Sequence, residues 1–332
     1  MLKKTKKYAF FRMVLLIIAL TLVACGGANE EPDDHFVIGL ATNNANGLKN
    51  IQGFQDEMAE LGYLEDENIT YIFSETPLKG DDLDAALENM VAENVDLIFT
   101  AGTPTGVAAH RITEGTGVPV VFGVIADPID AGVMEDLMKP MGNMTGVKLS
   151  QNQARRLELL TEIAPDIRHV FFPYNPDDAA PTGAMAQIEE LAPEFGIEIV
   201  EGFARNDEEV SLLLNTIPEN IDAIFMLPDS TVNARLDDLV ALSITKGLPV
   251  SAPSITQVEN GALMAYGIIH HEAGAQAASI AVQILRGADP GEMPVQTAEY
   301  YLGINLQTAD AIGIEIPASL VQAAEVVIAK GE

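Results

Sequence analysis

From Phe36 onward, short apolar runs alternate with amphipathic segments. Phe36–Ala41, Ile69–Phe73, Val95–Thr100 and Val118–Ile125 are rich in Val, Ile and Phe and predict buried strands. Between and after them, residues 47–61, 81–93, 104–114 and 129–138 carry helical periodicity. This is the rhythm of a doubly wound parallel sheet. It then starts again. Ile167–Phe172, Ile197–Phe203, Ile221–Leu227 and Leu248–Ala252 predict strands, with helices over 180–195, 207–216 and 231–246.

The second half reads as a distant copy of the first. Asn94-Val95-Asp96-Leu97-Ile98-Phe99 recurs 126 residues later as Asn220-Ile221-Asp222-Ala223-Ile224-Phe225. Gly117-Val118-Pro119-Val120 recurs 130 residues later as Gly247-Leu248-Pro249-Val250. Order and spacing are both kept, which predicts an α/β protein of two parallel-sheet lobes joined by a hinge. The N-terminal lobe is expected over residues 36–148 with 268–290 added, and the C-terminal lobe over 149–267. Residues 145–165 should cross between lobes and 266–290 should cross back. The remainder, 291–332, should add the strand Tyr300–Asn305 and a helical tail at 316–329 near the hinge. Ligands of open α/β sheets bind beyond the carboxyl ends of the strands. A cleft between two lobes can also close around a solute by hinge motion.

The start of the chain bears on compartment. Lys3, Lys4, Lys6, Lys7 and Arg12 precede an apolar run from Met13 to Ala24, too short for a spanning helix of about 20 residues. A basic segment, a short apolar run and small residues at its end predict a signal peptide over 1–24. Leu22-Val23-Ala24-Cys25-Gly26 resembles a bacterial lipobox, which makes Cys25 the expected lipid anchor and 25–35 a tether. A second acyl chain would make that anchoring stable. Cys25 is the single cysteine, so disulfide frameworks and thiolate metal clusters are excluded.

The chain of 332 residues carries 18 Lys+Arg against 49 Asp+Glu, a formal charge of −31. Losing the five basic residues of 1–24 takes the side-chain balance near −36. Such acidity argues against nucleic acid as a partner. With 48% hydrophobic residues, the chain can bury two cores.

Further phrases carry a family resemblance. They include Gly53-Phe54, Glu60-Leu61-Gly62-Tyr63, Gly102-Thr103-Pro104, Asp127-Pro128-Ile129 and Gly142-Asn143-Met144-Thr145-Gly146-Val147. Tyr174-Asn175-Pro176, Asp229-Ser230-Thr231-Val232, Glu259-Asn260-Gly261-Ala262 and Asn305-Leu306-Gln307-Thr308-Ala309 continue in order. From about residue 36 to its end the chain resembles ABC-transporter substrate-binding lipoproteins of the tryptophan/tyrosine-binding type, with the type I periplasmic binding protein fold. The resemblance implies a monomer that delivers a small solute, often an amino acid, to the permease of an ABC importer. It also implies a lipid-anchored place on the extracytoplasmic face of the cell membrane, and no cofactor. A lipid-anchored sensor acting on a receptor would share these features.

Candidate ligand contacts follow from strand ends. Thr103, before Pro104, is the expected N-cap of a helix whose Thr105 and Gly106 N–H groups could seat a carboxylate. Asp229 holds the matching place in the other lobe and could receive an ammonium group, or simply cap its helix, with Thr231 beside it as a further candidate contact. Asp127 repeats that choice. Tyr174 and Asn175 could offer an aromatic wall and an amide, Tyr266 could stack on a ligand near the hinge, and Asn43 follows the first strand. Where the family tends towards Asp-Tyr-Tyr, this chain has Ile269-His270-His271, which argues against an aromatic ligand. The two histidines could touch ligand, but a cap on the next helix is the preferred expectation. No metal site is expected, since the histidines are scattered or point apart. Motifs for an activated nucleophile, a zinc hydrolase or a dinucleotide loop are absent, so no enzyme is expected.

Overall fold

The computed structural model describes residues 35–150 and 152–329. The expected signal peptide, the Cys25 anchor and almost all of the tether lie outside the described residues. Two sheets form the two lobes. The first has six parallel strands, β1 (Phe36–Thr42), β2 (Ile69–Phe73), β3 (Leu97–Ala101), β4 (Val120–Ile125), β5 (Met144–Lys148) and β11 (Gln296–Thr297), in the order β11-β5-β4-β3-β1-β2. The second has seven strands. These are β6 (His169–Tyr174), β7 (Glu198–Phe203), β8 (Ala223–Phe225), β9 (Val250–Ala252), β10 (Met264–Gly267), β12 (Tyr301–Asn305) and β13 (Val326–Ile328). Their order is β13-β12-β10-β9-β8-β6-β7, parallel except where β10 meets β12.

The repeated phrases have a shared mechanical reason. The Asp96 N–H donates to Val37 O at 2.8 Å, and its Oδ2 accepts from the Val37 N–H at 2.7 Å. Asp222 does the same in the other lobe, donating to His169 O at 2.9 Å and accepting from the His169 N–H at 2.8 Å. Each aspartate ties the amino end of its own strand to the neighbouring strand. Pro119 and Pro249 likewise accept from the N–H groups of Ile98 and Ile224, both at 2.9 Å. The repeat is therefore a conserved way of setting strand register within one chain.

Helices cover the sheets. In the first lobe, α1 (Ala45–Glu60), α2 (Asp81–Ala92) and α3 (Thr103–Thr113) follow β1, β2 and β3. In the second, α4 (Gln153–Ile163), α5 (Ala179–Leu191), α6 (Asp207–Asn215), α7 (Ser230–Asn233), α8 (Leu236–Lys246) and α9 (Ile255–Glu259) do the same. Helix α10 (His270–Leu285) returns to the first lobe and packs along α1. The two backbones approach so closely that only glycine fits at the contact. A Cβ on Gly53 would lie 1.9 Å from His271 O, and one on Gly274 would lie 1.9 Å from Asn50 O. Phe54 of α1 stacks on Phe99 of β3, ring centroids 4.2 Å apart, at the heart of this core.

Three stretches join the lobes, at 149–150 with Asn152, 268–269 and 298–300. They are laced together. The Tyr300 hydroxyl donates to Ser150 O at 2.9 Å and accepts from the Ser150 N–H at 3.1 Å. Asn152 Nδ2 donates to Tyr266 O at 2.6 Å, and the Tyr266 and Tyr300 rings lie 5.7 Å apart.

Four expectations are corrected. Residues 129–138 form turns instead of a helix, because Asp127 Oδ1 takes the N–H groups of Ile129 and Asp130 and Gly132 adopts φ +71°. The helix expected over 231–246 breaks at Arg235 (φ −114°, ψ 26°) into α7 and α8. The tail is α11 (Leu306–Ile312), α12 (Ala318–Ala323) and strand β13. Gly313 at φ +74° ends α11, and the β-branched run Val326-Val327-Ile328 pairs with β12. Finally, neither His270 nor His271 caps α10. Its N-cap, Ile269, makes no side-chain bond, and the His271 ring turns to Asp56 and Glu272.

Candidate functional site

The carboxyl ends of β8 and β9 carry the second-lobe wall of the cleft. Asp229 caps α7: its Oδ1 accepts from the Thr231 N–H at 2.7 Å and the Val232 N–H at 3.0 Å. Its Oδ2 accepts from the Asn175 N–H at 2.6 Å, so Asn175, Asp229 and Thr231 form one unit although they lie far apart in sequence. Asp229 is only 5% exposed, yet it lines a cavity of about 510 Å³ with Ser230, Asn233, Asp237, Ser254 and Gln257. Asn46, from the first turn of α1, lines the same cavity from the other lobe. Ser254 begins α9 with a capping box, its N–H donating to Gln257 Oε1 at 2.9 Å. Gln257 Nε2 in turn donates to Asn233 Oδ1 at 2.6 Å. Asn46, Asn233, Ser254 and Gln257 were not singled out in the sequence. The serine and glutamine could have been, since Ser-x-x-Gln is a helix-start signature after the strand Leu248–Ala252.

The first-lobe wall differs from expectation in detail. Gly102, at φ +103°, is the N-cap of α3, a backbone conformation that threonine avoids. Thr103 is instead the first helical residue, and its hydroxyl accepts from the Ala126 N–H at 3.1 Å, tying the end of β3 to the end of β4. The Gly106 N–H is spent on Gly102 O at 3.0 Å. Gly106 also faces the sheet, where a Cβ would lie 2.6 Å from Ile125 Cδ1. The Thr105 side chain is fully buried, its hydroxyl without a protein partner. The first-turn N–H groups of Thr103 and Thr105 retain no intrahelical acceptor. Asn43 lies beside this turn, its Oδ1 accepting from Asn44 Nδ2 at 2.8 Å and standing 3.0 Å from where a Gly102 Cβ would be. Asp127 Oδ1 holds the turn that follows β4. Asn43, Thr103 and Asp127 thus share one rim.

The tyrosines sit less freely. The Tyr174 ring is buried, edge-on to Phe203, with its hydroxyl on Glu201, so it presents no open wall. Tyr266 is half-buried at the hinge against Tyr300.

At the mouth of α10, burial and then the nearby Lys49 charge push His270 down to about 4. A histidine held neutral in this way contributes stability above its unfolded pKa of about 6.5 that is lost as pH falls towards 4. His271 runs the other way, because its hydrogen bond to Asp56 holds it above the ordinary imidazole range. Its contribution is present at low pH and fades as pH rises. Urea unfolding at pH 7.5 and pH 5 should therefore show wild type losing about 1–2 kcal/mol more than His270→Gln over that interval. Equal losses in the two proteins would remove the assignment.

Among the described residues, no group of three or more His, Cys, Asp or Glu side chains is placed to hold a metal. No described helix is long and apolar enough to cross a membrane.

A model of the family described as ABC transporter substrate binding protein matches residues 41–328. The chain is 24% identical over 265 residues to a tyrosine-binding protein of Clostridioides difficile strain R20291, covering 80% of this chain and 76% of that one. An ABC domain from Streptococcus pneumonia solved in complex with L-Trp aligns with a TM-score of 0.72 at 25% identity, over 89% of this chain and all of that one. The ligand-free, open structure of a substrate-binding protein with adhesive properties from Clostridium difficile aligns with a TM-score of 0.77 at 24% identity, with the same coverage. With a match over most of its length and two parallel-sheet lobes of the type I periplasmic binding protein fold, the chain belongs to the ABC transporter substrate binding protein family.

Proposed function

We propose that the protein captures an amino acid between its lobes and hands it to the permease of an ABC importer, held on the extracytoplasmic face by lipid on Cys25. The observation that carries the solute class is Asp229, a buried carboxylate at a strand end that lines the cavity between lobes. In the other lobe, the first turn of α3 offers backbone donors beside Asn43. A zwitterion needs an acceptor for one end and donors for the other, and joining walls from two lobes would stabilise the closed form. The amino-acid-binding relatives support the same class.

Mass spectrometry of solute released by denaturing the protein, purified without added ligand, tests the class. An α-amino acid is expected, and a neutral sugar alone would overturn it. For the anchor, Cys25→Ser should abolish incorporation of labelled fatty acid, and incorporation at the wild-type level would refute the lipid attachment.

A further inference from the structure

The cavity holds more negative charge than one zwitterion can answer. Asp229 and Asp237 both line it, and no cationic or aromatic side chain is among the described residues that line it. The two carboxylates differ in their surroundings. Asp229 is satisfied on both oxygens by backbone N–H groups. Asp237, in the first turn of α8, is exposed, and no donor reaches its carboxylate among the described residues. Its neighbour Asp238 is already paired with Arg235. The remaining lining combines amides and hydroxyls, from Asn46, Ser230, Asn233, Ser254, Thr256, Gln257 and Asn260, with the apolar Ala234, Leu236 and Pro253.

A solute with a neutral side chain has one ammonium group for these two acids. Its α-carboxylate consumes neither of them. After the ammonium has met Asp229, closure would desolvate Asp237 with nothing opposite, which is costly. A side-chain cation removes that cost. The volume of about 510 Å³ falls in the ordinary range for small-molecule sites and leaves room for an extended chain.

Resting on the amino-acid reading, we propose that the solute is a basic amino acid of the lysine or ornithine class, its α-ammonium at Asp229 and its side-chain ammonium at Asp237. Asp237 is then the residue that sets specificity.

Isothermal calorimetry on the purified protein, stripped of co-purified solute, should use L-lysine, L-glutamine and L-tryptophan as probes. Lysine should bind at least about tenfold tighter than either other probe, and Asp237→Asn should reduce the lysine-to-glutamine preference by about tenfold. Lysine affinity should also fall as salt is raised. Asp237→Lys, checked for an unchanged unfolding transition, should lose lysine binding. If tryptophan or glutamine binds more tightly than lysine, the inference is overturned and the amino-acid reading stands. If the Asn variant keeps the full lysine preference, Asp237 has no such role. If none of the three binds and the released solute contains no amino group, both readings fall together.

Discussion

Asp229→Ala is expected to weaken binding of the native solute by about 30-fold or more and to cost about 1–2 kcal/mol of stability. The two effects have separate origins. The carboxylate takes three backbone N–H groups, from Asn175, Thr231 and Val232, so its loss uncaps α7 and frees the loop after β6. As the proposed acceptor of the solute's ammonium it would also be one member of a desolvated charge pair, and truncating one member of such a pair leaves the other unanswered. Asp229→Asn separates them. Asparagine is as good an N-cap as aspartate and keeps an oxygen for Thr231 and Val232, while its NH2 would oppose the Asn175 N–H. Stability should therefore fall less in the Asn variant than in the Ala variant, and binding should fall in both. Calorimetry beside urea unfolding reads both quantities. A folded Asn variant that binds within about threefold of wild type would remove Asp229 as the amine acceptor.

The central parallel strands were legible because they are apolar runs buried on both faces, such as Leu97-Ile98-Phe99 and Val120-Val121-Phe122, whereas the short β5, β10 and β11 carry no such run. The duplicated architecture was legible because Asp96 and Asp222 perform the same register bond at the same place. Side-chain direction was not. Thr103, Thr105 and Gly106 were read as one cleft-facing group, yet one ties two strand ends and two press into the sheet. A helix turn of three residues faces three ways, so a run of adjacent candidates rarely shares a target. Asp237, next to Asp238 in the amphipathic run 231–246, carries no sequence signal beyond that of a solvated helix face. It is exposed, but the surface belongs to the cavity, which depends on how α8 departs from α7 at Arg235. The adjacent pair Arg155-Arg156 hid the largest surprise. Arg155 reaches Glu158 and Glu162 on the surface. Arg156 lies on the stripe with Gln153, Leu160 and Ile163, whose spacing of three, four and seven marked it as inward-facing.

Arg156→Ala should be among the most destabilising single changes in the second lobe, at about 3–5 kcal/mol. The side chain is fully buried, its guanidinium 4.0 Å from the Phe225 ring centroid. It donates to Met226 O at 2.7 Å, Ser251 O at 3.2 Å and Gln153 Oε1 at 2.9 Å. Burial pushes its pKa down to about 9, which leaves it charged at neutral pH, and no carboxylate compensates it among the described residues. The arrangement is costly to fold and is held by strand-end carbonyls that would otherwise stay dry. Those carbonyls matter because Met226 and Ser251 each lie three residues before a wall of the cavity, at Asp229 and Ser254. Arg156→Met distinguishes volume from charge. Methionine fills most of the space and removes an uncompensated cation, but it leaves Met226 O and Ser251 O without a donor. Its cost should be smaller, roughly 1–3 kcal/mol, while solute affinity still falls because the two strand ends lose their common tether. Urea unfolding and calorimetry on the same preparations would test this. A methionine variant as stable as wild type and equally tight for solute would mean that the guanidinium contributes bulk alone.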